Sequence, residues 1–207
     1  MSLPDFLIDG PKNTGFTVVL AHGAGAPMDS EFMEVFAQGI ADRGHKCVRF
    51  EFPYMAERRA TGKKRPPDRQ PKLLDTWNSV INHFGPKRLI IGGKSMGGRM
   101  AAIIADEASV RGVLALGYPF YGAGRADKPR IDHLINIQTP MLVCQGTRDP
   151  MGSHETITAL TLSKAISYHW SEDGDHSLKP RKKSGRTQDQ NWSDALDAIA
   201  TFIFDLA

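Results

Sequence analysis

The chain has 207 residues, 41% of them hydrophobic and 24% charged, and a formal net charge of +3. That length and balance suit one domain, 1–207, with a sizeable core. No apolar run approaches the roughly 18 residues of a membrane span, and neither an internal repeat nor a low-complexity tract is present.

The first five residues, Met1 to Asp5, lack the charged and apolar regions of a secretory signal, so a cytoplasmic protein is expected. Short apolar strands then alternate with helical patterns. The strands expected in chain order are 6–9 (an edge strand), 16–21, 46–52, 89–91, 112–116, 141–145 and 165–170. Their near-continuous apolar character predicts strands covered by helices on both faces. The helices expected are 30–43, with Phe32, Val35, Phe36 and Ile40 on one face and Asp29 or Ser30 as N-cap; 71–84, opened by Pro71; 97–107; and 189–206. Cys47 and Cys144 both fall in strand-like runs and read as reduced buried thiols. No Cys/His cluster has zinc-like spacing, and neither metal nor cofactor is expected. The alternation predicts a doubly wound α/β domain: a mostly parallel sheet of six or seven strands flanked by helices, with no insertion large enough for a cap domain.

In such sheets, chemistry collects beyond the C-terminal ends of the strands. Directly after Leu89-Ile90-Ile91 comes Gly92-Gly93-Lys94-Ser95-Met96-Gly97-Gly98, which contains the spacing G-x-S-x-G. A serine at a sharp strand-to-helix turn is held in a strained conformation that exposes its hydroxyl, and the residues two before and two after it must be very small. Gly93 and Gly97 meet that demand. The overlap with a phosphate-binding G-x-x-x-x-G-K-[ST] loop fails, because Arg88 stands at the required glycine and the intervening residues form an apolar strand.

A serine hydroxyl needs a base. Of seven histidines, His176 is the one that follows both a strand and the acid candidate Asp149, which itself follows strand 141–145. An aspartate there fixes the imidazole tautomer and stabilises the cation formed on proton transfer. Asp173 and Asp175 read as loop-formers, and His22 as a hydrogen-bonding partner in its loop. His22-Gly23-Ala24-Gly25 follows strand 16–21, so the Ala24 N–H, with that of Met96 at the helix start, is expected to form a two-donor oxyanion hole.

The chain order Ser…Asp…His, each after its own strand, is that of the α/β-hydrolase fold. The stretches LAHGAGAPMDSEFM, GGKSMGG, GTRDP and DGDHS resemble that superfamily, and in particular a compact group related to dienelactone hydrolases and to a hydrolase-like subunit of a chromatin-modifying complex. The resemblance implies catalytic roles for Ser95, Asp149 and His176 and oxyanion roles for Ala24 and Met96. It departs from dienelactone hydrolases at the nucleophile, cysteine there and serine here.

Tyr118, Phe120 and Tyr121, after strand 112–116, are the expected substrate-binding residues, and an uncapped site suits a small ester, thioester or amide. Residues 57–72 hold seven Lys/Arg against two acids, and residues 179–186 hold five and no acid. Both segments follow strands, which predicts a positive rim that steers anionic acyl substrates. The leading expectation is a serine hydrolase forming an acyl-enzyme. The alternative is a hydrolase-fold binding protein whose basic loops contact an acidic partner or nucleic acid, although those loops lack the interleaved aromatics of a single-strand platform. A peptidase or haloperoxidase-like reaction is a third reading. No membrane partner is expected.

Overall fold

The computed structural model describes residues 3–12, 15–122 and 124–207, and for 125–127 the backbone alone; Met1 and Ser2 lie outside them. Strand β2 (Thr17–Ala21) shows how the sequence builds the molecule. Its side chains alternate between two faces, as a pleated backbone requires. Val18 and Leu20 enter one apolar core, and Val19 and Ala21 enter the other. The same alternation recurs in β3 (Lys46–Phe50), β4 (Leu89–Lys94), β5 (Gly112–Leu116) and, after a short hairpin described below, β8 (Met141–Gly146). A strand apolar on both faces is stable only when layered between helices.

Helices α1 (Glu31–Asp42) and, at the end of the chain, α6 (Gln188–Asp205) cover one face, packing Met33, Phe36, Ile40, Trp192, Leu196 and Ile199 onto Val18, Leu20, Ile90 and Leu114. Helices α2 (Pro53–Thr61), α3 (Gln70–Phe84) and α4 (Met96–Ala108) cover the other, where Trp77 meets Phe50 edge-on at 4.8 Å between ring centroids. Fully burying one such large apolar side chain contributes about 1.5–3 kcal/mol.

The sheet order is β1-β3-β2-β4-β5-β8-β9, with β1 spanning Phe6–Asp9 and β9 Ile166–Ser171. All neighbours are parallel except β1, which pairs antiparallel with β3 at one edge. Seven strands and both helical layers therefore agree with the sequence reading, and no boundary moves by more than three residues. Ser30 stands at the α1 N-cap without a side-chain cap bond, because Asp29 is drawn to Arg59 at 2.8 Å. At α6, Thr187 and Gln190 form a reciprocal capping box.

Two elements were not anticipated. Residues 53–61, of which 57–61 were read as part of a basic loop, form α2: Pro53 opens it, Tyr54 and Met55 are buried, and Gly62 closes it in the left-handed region (φ 71°). A short hairpin, β6 (Tyr121–Gly122) with β7 (Arg125–Pro129), follows β5. Between β8 and β9 lies the short helix α5 (His154–Thr158), capped by Ser153 and not by Asp149.

Candidate active site

Ser95 occupies the one-residue step between β4 and α4, with φ 50° and ψ −110°. A non-glycine residue with this backbone is strained by about 1–3 kcal/mol, held by what surrounds it. Here the Ser95 N–H donates to the Leu116 carbonyl at 3.0 Å, and the Arg99 N–H donates to the Ser95 carbonyl at 3.0 Å. The glycine requirement has a direct cause. A Cβ at either Gly93 (φ 145°) or Gly97 would overlap the Ala21 carbonyl oxygen, so the first turn of α4 rests on the end of β2 only because both side chains are missing.

The imidazole of His176 joins the serine to a buried acid. Its Nε2 lies 2.9 Å from Ser95 Oγ and its Nδ1 lies 2.7 Å from Asp149 Oδ2. Asp149 is fully buried. As an acceptor-only carboxylate it assigns the hydrogen to Nδ1 and leaves the Nε2 lone pair facing the hydroxyl. Two further donors fix the acid: the Met151 N–H at 2.8 Å on Oδ1 and Gln145 Nε2 at 2.9 Å on Oδ2.

The loop bearing His176 is tied down on several sides. Asp175 accepts from the N–H groups of Ser177 (2.8 Å) and Lys179 (3.0 Å), Trp192 Nε1 donates to the Ser177 carbonyl (3.0 Å), and Asn191 Nδ2 donates to the carbonyls of Glu172 and Leu178. Asp173 binds Arg181 and the Arg148 side chain, so it belongs to the loop as expected. Lys94 reaches from the elbow to donate to the His176 carbonyl, with its ammonium 5.2 Å from the Phe32 ring centroid. Burial lowers the Lys94 pKa to about 8, against the raising pull of Asp149 and Asp175.

His22 is buried, and burial lowers its pKa. Its Nε2 accepts from the Phe52 N–H at 3.1 Å, which leaves Nδ1 to donate to the Gly23 carbonyl at 2.6 Å. Tyr54 Oη donates to the Ala24 carbonyl at 3.0 Å. These bonds shape the turn that brings Ala24 beside the elbow.

A cavity of about 290 Å³ contains Ser95, Ala24 and Met96 together. The remaining wall combines Met100, Met151, Pro119 and Leu73 with the polar groups of Asp68, Gln70, Arg99 and Arg130. The aromatic residues expected here stand elsewhere. Tyr118 and Phe120 are fully buried in the core, where apolar side chains following a strand find their lowest free energy. Tyr121 faces a different cavity, on the outer side of Asp149. Pro119, between the two buried aromatics, is the residue of that segment that reaches the serine.

The expected positive rim is altered as well. Residues 57–72 border the cavity, but through Pro67, Asp68 and Gln70. Arg59 pairs with Glu51 and Asp29, Arg65 with Glu57, and Lys72 with Asp68. In the second segment Arg181 pairs with Asp173 and Arg186 with Asp194. Five of the twelve basic residues counted in the two segments are thus neutralised locally. The sequence reading passed over Gln145, Arg99 and Arg130. Gln145 carried a signal, a polar residue inside an apolar strand; the two arginines carried none.

A family model described as "Alpha/beta hydrolase domain" matches residues 14–204. Among solved structures, an α/β serine hydrolase without lid from Xanthomonas campestris superposes with a TM-score of 0.70 at 18% identity, covering 94% of this chain and 87% of that one. Est1E from Butyrivibrio proteoclasticus, described with ferulic acid bound, gives 0.65 at 14% identity over 95% of each chain. A monoacylglycerol lipase from Paleococcus ferrophilus gives 0.69 at 14% identity over 100% of each. At these identities the likeness concerns the fold. Among the described residues no helix is long and apolar enough to cross a membrane.

Proposed function

The chain belongs to the α/β-hydrolase family, and from that membership and the Ser95–His176–Asp149 array we propose that it is a serine hydrolase acting on carboxylic esters or related acyl compounds. The observation that carries this reading is the continuous run of two short hydrogen bonds, 2.9 Å and 2.7 Å, from a strained, half-buried serine to a fully buried carboxylate.

The chemistry follows from the atoms. As Ser95 Oγ attacks the acyl carbon, its proton passes to His176 Nε2, and the imidazolium is stabilised through Nδ1–H by Asp149. The carbonyl oxygen becomes an oxyanion that the N–H groups of Ala24 and Met96 are assigned to receive; each such donor contributes about 10²–10³ in rate. Collapse of the tetrahedral intermediate expels the alcohol, which takes its proton from Nε2. Water, activated by the same nitrogen, then attacks the Ser95 acyl ester and releases the acid.

Hydrolysis of p-nitrophenyl acetate tests the reading. Replacement of Ser95 or His176 by Ala is expected to lower kcat by roughly 10³-fold or more. Full activity in a folded His176→Ala protein refutes the base assignment. No turnover of any short ester by the wild type refutes the substrate class.

A further inference from the structure

Resting on the reading of Ser95 as nucleophile, we propose that Arg99 and Arg130 form an oxyanion-binding subsite beside it, so that the substrate is an ester carrying a carboxylate or phosphate group within a few bonds of the scissile carbonyl.

Arg99 lies four residues beyond Ser95 on α4, so its Cα stands about 6 Å along the helix axis from the nucleophile. Gln70, Arg99 and Arg130 line the cavity that holds Ser95, and the same three line an adjoining cavity of about 520 Å³. They form the partition between the two, where a substrate reaching past the serine arrives. Burial lowers the Arg99 pKa; Tyr118 opposes that shift, and the like charge of Arg130 adds to it.

Neither guanidinium lies within 4.0 Å of a carboxylate among the described side chains. Among the described residues Arg99 Nε is buried without a hydrogen-bond partner, and its Nη2 makes one long bond, 3.3 Å, to Gln70 Oε1. The acid in the serine cavity, Asp68, is engaged by the Tyr54 N–H at 2.9 Å and by Lys72 at 3.0 Å. Asp132 lines the adjoining cavity. His133, whose Nε2 lies 2.8 Å from Tyr118 Oη, is pushed down to about 4 by burial and by Arg99, and so adds no charge near neutral pH.

Arg99 is half-buried and its Nε has no partner among the described residues, which is unfavourable unless an anion or water completes it, and the exposed Arg130 on the same cavity wall adds a second positive charge. Their planar forks match carboxylate and phosphate oxygens, and that match distinguishes them from an ammonium. Nothing in hydrolysis of a neutral ester calls for such a pair.

The test compares three methyl esters of similar length by methanol release: monomethyl succinate, methyl 3-phosphonopropanoate and neutral methyl valerate. The wild type is expected to favour an anionic ester over the neutral one by at least about tenfold in kcat/KM. That ratio is expected to fall about tenfold in Arg99→Gln and in the more exposed Arg130→Gln, with Arg99→Lys between. Preference for the succinate identifies a carboxylate, and preference for the phosphonate a phosphate. A wild-type ratio near one, or a ratio retained in both folded variants, overturns the subsite. If no ester is turned over, calorimetric titration of Ser95→Ala with succinate and with inorganic phosphate separates the two ideas. Binding weakened tenfold by adding Arg130→Gln keeps the subsite while the hydrolase reading falls, and no binding of either anion overturns it.

Discussion

Gln145 is fully buried, and its amide connects three segments of the chain. Its Oε1 accepts from the Tyr118 N–H at 2.7 Å, and its Nε2 is shared among Asp149 Oδ2 (2.9 Å), the Gly152 carbonyl (3.0 Å) and the Tyr118 carbonyl (3.2 Å). Gln145→Leu keeps much of the volume and removes every one of these bonds. The Tyr118 N–H then lies buried without an acceptor, which costs about 1–3 kcal/mol, and the charge-assisted bond to Asp149 is worth about 1.5–3 kcal/mol more. Because the bonds are shared, the sum is not additive, and we predict a loss of roughly 3–5 kcal/mol, a large part of a typical total stability of about 5–15 kcal/mol. Urea unfolding at pH 7 measures it, as a shift in midpoint at unchanged slope. The carboxylate also loses one of its fixing donors, so kcat/KM on a short ester is expected to fall about tenfold, the equivalent of about 1.4 kcal/mol. A loss below about 1 kcal/mol with unaltered kcat/KM refutes the reasoning, since it means the amide neither satisfies the Tyr118 backbone nor holds the acid.

Gly97→Val places a branched side chain against the Ala21 carbonyl; about 2–4 kcal/mol of stability and most of the esterase activity should be lost, and near-native unfolding and turnover contradict the elbow packing. The Lys94 pKa is lowered from 10.5 to about 8. Between those values the unfolded chain binds a proton that the folded chain does not, so stability gains with rising pH. Relative to Lys94→Met, the wild type should gain up to about 3 kcal/mol from pH 8 to 10.5; a pH-independent difference by denaturant titration counts against burial of the ammonium. His133 is lowered from 6.5 to about 4. The unfolded histidine is protonated first as pH falls, so stability is lost from pH 6.5 down to 4 and is flat above 6.5. Half-burial limits this to about 1–3 kcal/mol. His133→Gln should flatten that limb, and an unchanged acid limb removes His133 as its source.

The layered sheet was legible because β2, β4, β5 and β8 are apolar on both faces, a pattern with few structural solutions. Helix α2 was hidden by its own composition: Arg58 and Arg59 read as part of a charged run, and the two buried residues Tyr54 and Met55 are too few to show a period. Ser95, Asp149 and His176 were found because each follows a strand and each is a residue type the chemistry demands. Tyr118 and Phe120 also follow a strand, but the rule fixes position and not direction, and both point inward. Arg99 and Arg130 were not recoverable, since an arginine on a helix and another after a hairpin strand become a pair only when the cavity brings them together. The basic rim was altered for the converse reason. Sequence counts charges, whereas Arg59, Arg181 and Arg186 had already found carboxylates.

The central claim is that Ser95 is a nucleophile activated by His176. It is tested most directly by treating the folded protein with a fluorophosphonate and locating the adduct by peptide mass spectrometry. The account predicts one adduct, on Ser95, absent in Ser95→Ala and formed far more slowly in His176→Ala. Labelling at another residue, equal labelling of Ser95→Ala, or no labelling of the folded wild type would contradict it.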